Sequence, residues 1–270
     1  MDTPAITPAR PSASVILARR AAAGFEVFMV RRPASASAFA DVYVFPGGTV
    51  REDDGVEQPG DAAFTAAEAL AAFTDRGGLP PDDAAQAIAI WRAALRELFE
   101  EAGVLLARDA TGRPLQIADA DAPRYLESRR ALQAGQVTLA EVLARERLTL
   151  DYRQLRYFSH WITPLQERRR FNTRFFVAEL PVGQTALHCQ IETTDGVWVQ
   201  PVDALDRASR GQFGIVFPTR RHLQRLAQQP SLDDLLAFAA RKPIQTVQPS
   251  KATVDRKESI VLGPGVGECW

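Results

Sequence analysis

The chain has 270 residues, of which 46% are hydrophobic and 24% charged, an ordinary globular composition with enough apolar residues for a sizeable core. The formal net charge of −1 excludes a protein that binds nucleic acid through bulk positive charge. No run approaches the roughly 18 apolar residues of a membrane span, and residues 1–11 lack the apolar stretch of a signal peptide. We therefore expect a cytoplasmic protein with no nucleic-acid and no membrane partner.

The first part of the chain alternates short apolar runs with turns. Residues 12–18 and 25–31 predict a β-hairpin around Gly24. A further short run, residues 42–45, is stopped by the turn-forming residues 46–48. The segment that follows is acidic and rich in glycine, which indicates a loop.

Strands and helices then mix along the chain without a linker. Further strands are predicted at residues 104–107, 155–163, 173–180 and 197–199. Helices are predicted at residues 61–73, from a cap at Asp82 or Asp83 to about Ala102, twice within 121–147, and at 202–209, 220–228 and 232–241. This mixture predicts one α/β domain at 12–241, with insertions at about 55–82 and 115–150, between a disordered N-terminus (1–11) and an extended tail (242–270).

Cysteine and histidine give no sign of a metal site of their own. Cys189 and Cys269 form neither a disulfide framework nor a zinc pattern, which fits a reducing compartment. The histidines His160, His188 and His222 are isolated from one another, and we interpret them as structural or surface residues.

Three glutamates converge near the C-terminal end of the long predicted helix. Glu97, Glu100 and Glu101 stand three and four residues apart, so they share one helix face. The helix dipole is negative at that end, and like charges at this spacing cost about 0.2–0.5 kcal/mol per pair. A hard divalent cation would offset the repulsion, because Mg²⁺ favours carboxylate oxygens.

The residues around these glutamates resemble the Nudix box. Its second half reads Arg-Glu-apolar-any-Glu-Glu-any-Gly-apolar, and residues 96–104 fit it at every position. The first half of the box is a glycine, five residues and a glutamate. Gly48, residues 49–53 and Asp54 resemble it, with aspartate in place of the family's glutamate. Residues 55–95 lie between that acid and Arg96, far more than the family's usual short spacer, so the box is split by an insertion.

A split box after Val44-Phe45-Pro46-Gly47-Gly48 is similar to the Nudix-19-type coenzyme A diphosphatase branch of that family. Residues 161–164, 170–176 and 198–205 also resemble the branch's later strands and its strand-to-helix turn. The resemblance implies a Nudix-type α/β/α sandwich with a mixed sheet and helical insertions.

The resemblance also assigns roles to site residues. It implies Glu100 and Glu101 as ligands of Mg²⁺ or Mn²⁺, Glu97 as a ligand or general base, and Arg96 as the residue that orients an acid. Further ligand candidates are the Gly47 carbonyl and Glu192, with Glu167 as the second choice for that late carboxylate. Candidates for substrate binding are Gly48, Arg31, Arg32 and Arg174.

The implied activity is hydrolysis of the diphosphate bond in a small nucleotide derivative. CoA or acyl-CoA would give 3′,5′-ADP and (acyl-)4′-phosphopantetheine. ADP-ribose, NADH or a nucleotide sugar is the alternative substrate class, and a ligand-sensing module without turnover is the alternative function. A homodimer is compatible with the resemblance. The inserted helical stretches, residues 61–73 and 121–147, are hypothesised to form a lid or a pantetheine wall. The role of Asp54 stays open.

Overall fold

The computed structural model describes residues 7–34, 40–189, 193–254, 257–263 and 266. Its strands are β1 (Arg10–Arg20), β2 (Phe25–Arg31), β3 (Tyr43–Val44), β4 (Gly47–Thr49), β5 (Ala107–Arg108), β6 (Thr149–Leu150), β7 (Arg156–Ile162), β8 (Phe171–Glu179), β9 (Asp195–Val199), β10 (Thr246–Val247), β11 (Ser250–Val254) and β12 (Lys257–Val261). Its α-helices are α1 (Ala66–Thr74), α2 (Ala84–Ala102), α3 (Ala122–Gln133), α4 (Leu139–Glu146), α5 (Pro201–Ser209), α6 (Phe217–Leu226) and α7 (Leu232–Arg241).

Eight of the described strands form one mixed sheet with the order β10-β7-β8-β1-β2-β3, with β4 paired to β1 and β9 to β2. Strand β1 runs parallel to β8 along one edge. On its other edge it changes partner, because residues 12–14 pair with β4 and residues 18–20 pair with β2. The sheet forks at this change of partner, and the fork places the two glycines of β4 beside the beginning of β1.

Side chains alternate along β1 between two hydrophobic cores on the two faces of the sheet. Val15 and Leu17 enter the core built with helices α1 to α4. Ile16 and Ala18 enter the core built with α5, α6 and α7. The predicted α/β/α sandwich with a mixed sheet is confirmed.

The long helix α2 has the ends that the sequence predicts. Asp83 caps its first turn by accepting a hydrogen bond from the Gln86 backbone N–H at 2.7 Å. Gly103 ends it in the left-handed conformation, with φ of +71°. Helix α1, which belongs to the first insertion, packs against α2, and the ring centroids of Phe73 and Trp91 lie 5.6 Å apart. The first insertion is therefore part of the core.

The predicted strand at residues 104–107 is mostly wrong, because only Ala107 lies in a strand. The backbone of Leu105 is satisfied by a side chain instead of a neighbouring strand. Its N–H donates to Gln184 Oε1, and its carbonyl accepts from Gln184 Nε2, both at 2.9 Å. An apolar run alone could not reveal a partner so distant in sequence.

The segment after α7 continues the fold. Strand β10 pairs in parallel with β7, and β11 pairs with β12 as a hairpin. Leu262 and Val266 then pack against Trp161 and Val247. No helix among the described residues is long and apolar enough to cross a membrane.

His222 lies in the protein interior, packed against β7 and β8. This position fits the interpretation of His222 as a structural residue. Its Nδ1 lies 2.7 Å from the Pro218 carbonyl, and its Nε2 lies 2.6 Å from Ser159 Oγ. A carbonyl only accepts, so Nδ1 carries the hydrogen and Nε2 accepts from the serine hydroxyl. Burial lowers the pKa of His222 to about 3, and burial likewise lowers the pKa of His160 to about 4.

We expect His222 to make folding sensitive to acid. An unfolded histidine titrates near about pH 6.5, so below that pH the unfolded state binds a proton that folded His222 resists. The free energy of unfolding should fall as the pH drops from about 7.5 to about 5, and His222→Gln should show a shallower fall. Urea unfolding of wild type and His222→Gln at both pH values measures this. Equal dependences for wild type and His222→Gln would contradict the prediction.

Candidate active site

Helix α2 carries charged side chains into the protein interior. The buried charged residues on it are Arg92, Arg96, Glu97, Glu100 and Glu101. Buried charges are costly unless they are paired and hydrogen-bonded. The partners of these side chains therefore define the architecture of the site.

Arg96 is 0% exposed and is the centre of the network. Its Nε and Nη2 donate to the two carboxylate oxygens of Asp54 at 2.9 and 2.8 Å. Nη1 donates to Glu97 Oε1 at 2.7 Å, and Nη2 also donates to the Thr49 carbonyl at 3.0 Å. Burial alone would lower the pKa of Arg96, but the hydrogen bond to Asp54 and the charges of Glu97 and Asp54 raise it overall.

Asp54 lies at the end of a short 3-10 turn, Glu52–Gly55, and is 3% exposed. Besides Arg96 it accepts the backbone N–H of Arg51 at 2.8 Å. The carboxylate is thus held from both sides, and it joins the two halves of the split box. Asp54 makes the bidentate contact to the box arginine across the insertion.

The remaining two glutamates bind groups from the β4 segment. The Glu100 carboxylate oxygens accept one hydrogen bond each from Nη1 and Nη2 of Arg51, both at 2.8 Å. Glu101 Oε2 accepts the backbone N–H of Gly47 at 2.8 Å. Bidentate and charge-assisted bonds of this kind fix both position and orientation.

Gly48 lies directly against Glu97. A Cβ at position 48 would stand 2.3 Å from Glu97 Oε1, so only glycine allows this approach. Burial raises the pKa of Glu97 to about 7, the charge of Glu100 adds to this rise, and Arg96 opposes it. The surroundings of Glu97 therefore place its pKa above that of an ordinary glutamate.

A cleft of about 1220 Å³ opens over these groups. Its floor includes Gly47, Gly48, Arg51, Glu97 and Glu101. Its apolar wall includes Trp161, Phe171, Phe175, Phe217 and Ile260, and its cations are Arg32, Arg168, Arg169 and Lys251. Lys251 also forms an ion pair with Glu167 at 3.0 Å, which joins the β11 strand to the loop between β7 and β8.

Some of the predicted substrate-binding residues lie away from this cleft. Arg31 pairs with Asp41 at 2.7 Å and does not line it. Arg174 points to the opposite face of β8, where its Nη2 donates to the Leu79 carbonyl at 3.1 Å and its guanidinium lies 4.9 Å from the Phe73 ring centroid. Arg32 and Gly48 do line the cleft. The proposed late ligand, Glu192, lies outside the described residues.

The insertions hypothesised to form a lid or a pantetheine wall lie apart from this cleft in the part of the chain that the structure describes. Neither residues 61–73 nor residues 121–147 contribute to the cleft lining. Instead, Arg129 Nε donates to the Glu100 carbonyl at 2.9 Å, and Gln133 Nε2 donates to the same carbonyl. The second insertion therefore covers the end of α2 from behind.

The sequence interpretation missed Arg51 and the wall residues of the tail. Arg51 is the basic residue in an otherwise acidic stretch, residues 51–54, and this contrast is the signal that could have marked it. Lys251 and Ile260 carry no local signal, because their place at the cleft depends on how the tail returns to β7.

The charge of the floor fits a hard divalent cation. When all are ionised, the four carboxylates of Asp54, Glu97, Glu100 and Glu101 exceed the two guanidiniums of Arg51 and Arg96 by two negative charges. Within the described ranges no three acidic, histidine or cysteine side chains stand ready to ligate a metal. Two of the glutamates are engaged by arginines: Arg51 donates to both oxygens of Glu100, and Arg96 donates to one oxygen of Glu97. The donor chemistry and the close approach of Gly48 nonetheless suit such an ion.

This combination of mixed sheet, helical layers and acidic helix is found in Nudix proteins. The structure is similar to the crystal structure of a NUDIX hydrolase from Alicyclobacillus acidocaldarius, with a TM-score of 0.63 and 28% identity over 88% of this chain and 98% of that one. More narrowly, the chain belongs to the NUDT19 Nudix domain family, which matches residues 56–226. The matched range includes the first insertion, so the insertion is a part of this family's domain.

Named relatives agree with this family. The acyl-coenzyme A diphosphatase NUDT19 of Xenopus laevis is 23% identical over 249 residues, which cover 82% of this chain and 64% of that protein. Its human counterpart is 29% identical over 182 residues, which cover 65% of this chain and 48% of that protein. The chain thus spans about half to two thirds of the length of these relatives. The predicted membership of the Nudix-19-type branch is confirmed.

We expect Asp54→Asn to destabilise the protein strongly. The change leaves the buried guanidinium of Arg96 without its bidentate anion, and removing one partner of a buried pair costs about 3–5 kcal/mol. Urea unfolding measures the loss. Asp121→Asn is the matched control, because Asp121 forms an exposed ion pair with Arg124 and should change stability little. Similar losses for the two variants would show that Arg96 does not depend on Asp54.

Proposed function

We propose that this chain is a divalent-metal-dependent diphosphatase that cleaves CoA or acyl-CoA to 3′,5′-ADP and (acyl-)4′-phosphopantetheine. The observation that carries the proposal is the position of Glu97 and Glu101 on the floor of a large cleft, beside the backbone of Gly47 and Gly48. Carboxylates at this site bring the negative charge that a divalent cation requires.

Glu97, Glu100 and Glu101 would hold Mg²⁺ or Mn²⁺, with the Gly47 carbonyl and Glu192 as further candidates. Bound there, such an ion supplies charge neutralisation for the diphosphate oxygens and lowers the pKa of water. In hydrolysis, a water oxygen bonds to one phosphorus and the bond from that phosphorus to the bridging oxygen breaks. The other phosphate leaves with the bridging oxygen, and the water gives up its proton to a carboxylate, for which Glu97 is our candidate.

The size and lining of the cleft support a large substrate. Its volume of about 1220 Å³ exceeds the roughly 300–1,000 Å³ of ordinary ligand pockets. The aromatic wall offers apolar surface to an adenine, a pantetheine arm or an acyl chain. The cations Arg32, Arg168 and Arg169 offer partners for a phosphate outside the scissile diphosphate.

A product-resolved assay tests the substrate. CoA, an acyl-CoA, dephospho-CoA, ADP-ribose and NADH are each incubated with Mg²⁺ or Mn²⁺, beside a Glu100→Gln control. We expect 3′,5′-ADP from CoA or acyl-CoA, slower cleavage of dephospho-CoA because it lacks the 3′-phosphate, and no product with Glu100→Gln. Faster turnover of ADP-ribose or NADH would reject the CoA substrate and keep the diphosphatase chemistry. Tight nucleotide binding without turnover in any metal would favour a ligand-sensing module.

The two glycines of β4 give a second, paired prediction. In Gly48→Ala the new methyl group displaces the Glu97 carboxylate, and a misplacement of about 1 Å lowers turnover on the order of 100-fold. In Gly47→Ala the methyl group would stand 2.4 Å from the Ala13 carbonyl oxygen, so the backbone of the fork must move and stability should fall. Rates and melting temperatures of both variants distinguish the effects. A Gly48→Ala enzyme with wild-type turnover would contradict the placement of Glu97.

A further inference from the structure

Arg51 lies between the cleft and Glu100, the most deeply buried carboxylate beneath the cleft floor. Glu100 is 0% exposed, whereas 39% of the Arg51 side chain is exposed and lines the cleft. Both oxygens of Glu100 are engaged by the Arg51 fork at 2.8 Å. If this pair separates, the exposed guanidinium is therefore the partner that moves, and the buried carboxylate stays in place.

The second guanidinium near Glu100 is held differently. Arg96 Nη1 lies 3.4 Å from Glu100 Oε1, but Arg96 is fully buried and bonded to Asp54, Glu97 and a backbone carbonyl. Moving Arg96 would break all of these bonds and leave buried charges unpaired. Moving the Arg51 side chain breaks only its two hydrogen bonds to Glu100 among those described.

A backbone hydrogen bond limits the movement of Arg51. Its backbone N–H donates to Asp54 Oδ2 at 2.8 Å, which fixes the start of the 3-10 turn. Movement of Arg51 is therefore confined to its side chain, which already lines the cleft. A guanidinium in that position offers a planar fork that matches a phosphate group.

Two cations compete for one carboxylate at this point. A divalent ion can bind Glu100 through the oxygens that face Arg51 only after the fork has turned away, because the two positive charges repel each other at ligand distance. We propose that Arg51 is an exchangeable counter-cation. It neutralises Glu100 until a divalent cation binds that carboxylate, and the released Arg51 guanidinium then binds a phosphate oxygen of the substrate. The inference rests on the proposed function and adds to it a residue that couples metal binding to substrate binding.

Binding of Mn²⁺ to the whole chain in the absence of substrate tests the exchange. Arg51→Gln removes the competitor, so its Kd for Mn²⁺, measured by electron paramagnetic resonance, should be lower than that of wild type by about tenfold. Without metal the same variant should melt at a lower temperature, because Glu100 loses the guanidinium that donates to both of its oxygens. Added Mn²⁺ should raise its melting temperature by more than that of wild type.

Turnover with saturating Mn²⁺ tests the second half of the proposal. The KM of Arg51→Gln for the substrate that the product-resolved assay identifies should rise, while the affinity of this variant for Mn²⁺ also rises. A purely structural role would weaken both. Arg51→Lys keeps the charge without the fork and should bind Mn²⁺ with an affinity between those of wild type and Arg51→Gln. If Arg51→Gln does not fold, tighter Mn²⁺ binding by Arg51→Lys than by wild type supports the exchange, and equal or weaker binding overturns it.

Arg153→Gln is the control for net charge, because Arg153 is exposed and lies outside the cleft lining. It should leave the Kd for Mn²⁺ unchanged. Equal or weaker Mn²⁺ binding by Arg51→Gln than by wild type overturns the exchange and leaves the proposed function standing. Tighter Mn²⁺ binding with an unchanged KM overturns the phosphate contact. If neither wild type nor variant binds Mn²⁺, the exchange is overturned. The proposed function fails with it only when the product assay also shows no turnover with Mg²⁺ or Mn²⁺.

Discussion

The bidentate pair between Arg96 and Asp54 is the interaction on which the site depends. The two residues are 42 positions apart in sequence, and both are buried. Their pairing holds the 3-10 turn after β4 against α2. The turn thereby positions Arg51 beside Glu100. A buried ion pair adds little to net stability against an apolar alternative, but it specifies geometry when every donor is satisfied. Here it fixes where the two halves of a divided motif meet.

The insertion that divides the motif is accommodated because it adds to the core. Helix α1 buries Phe73 against Trp91 of α2, so the added residues bring apolar contacts of their own. After the insertion the chain enters α2 at Asp83, whose cap starts the helix at a defined residue. Arg92 also reaches back across the insertion, and its Nη1 donates to the Asp54 carbonyl at 2.9 Å. Several independent contacts thus close the same gap.

The fold class and α2 with its glutamates could be predicted from the sequence, because they depend on local periodicity, capping and a dense motif. The cleft walls could not, since they depend on which face of each strand meets which layer. Arg174 illustrates this point: alternation along β8 places it on the face opposite Thr173 and Phe175, but the sequence does not say which face borders the cleft. The role of Arg51 could not be predicted for a related reason. Its partner Glu100 becomes a neighbour only through the Asp54–Arg96 contact.

The fork in the sheet separates the floor of the cleft from most of its walls. The floor of the cleft is built from β4 and α2 and is positioned by backbone pairing with β1 and by buried ion pairs. The walls come from elsewhere, namely strands β7 and β8 with the loop between them, the start of α6 and the hairpin of β11 and β12. Substitutions in those wall segments can alter which molecule fits while the geometry of the floor is preserved. A site divided in this way lets the residues that select a ligand change without disturbing the buried carboxylates of the floor.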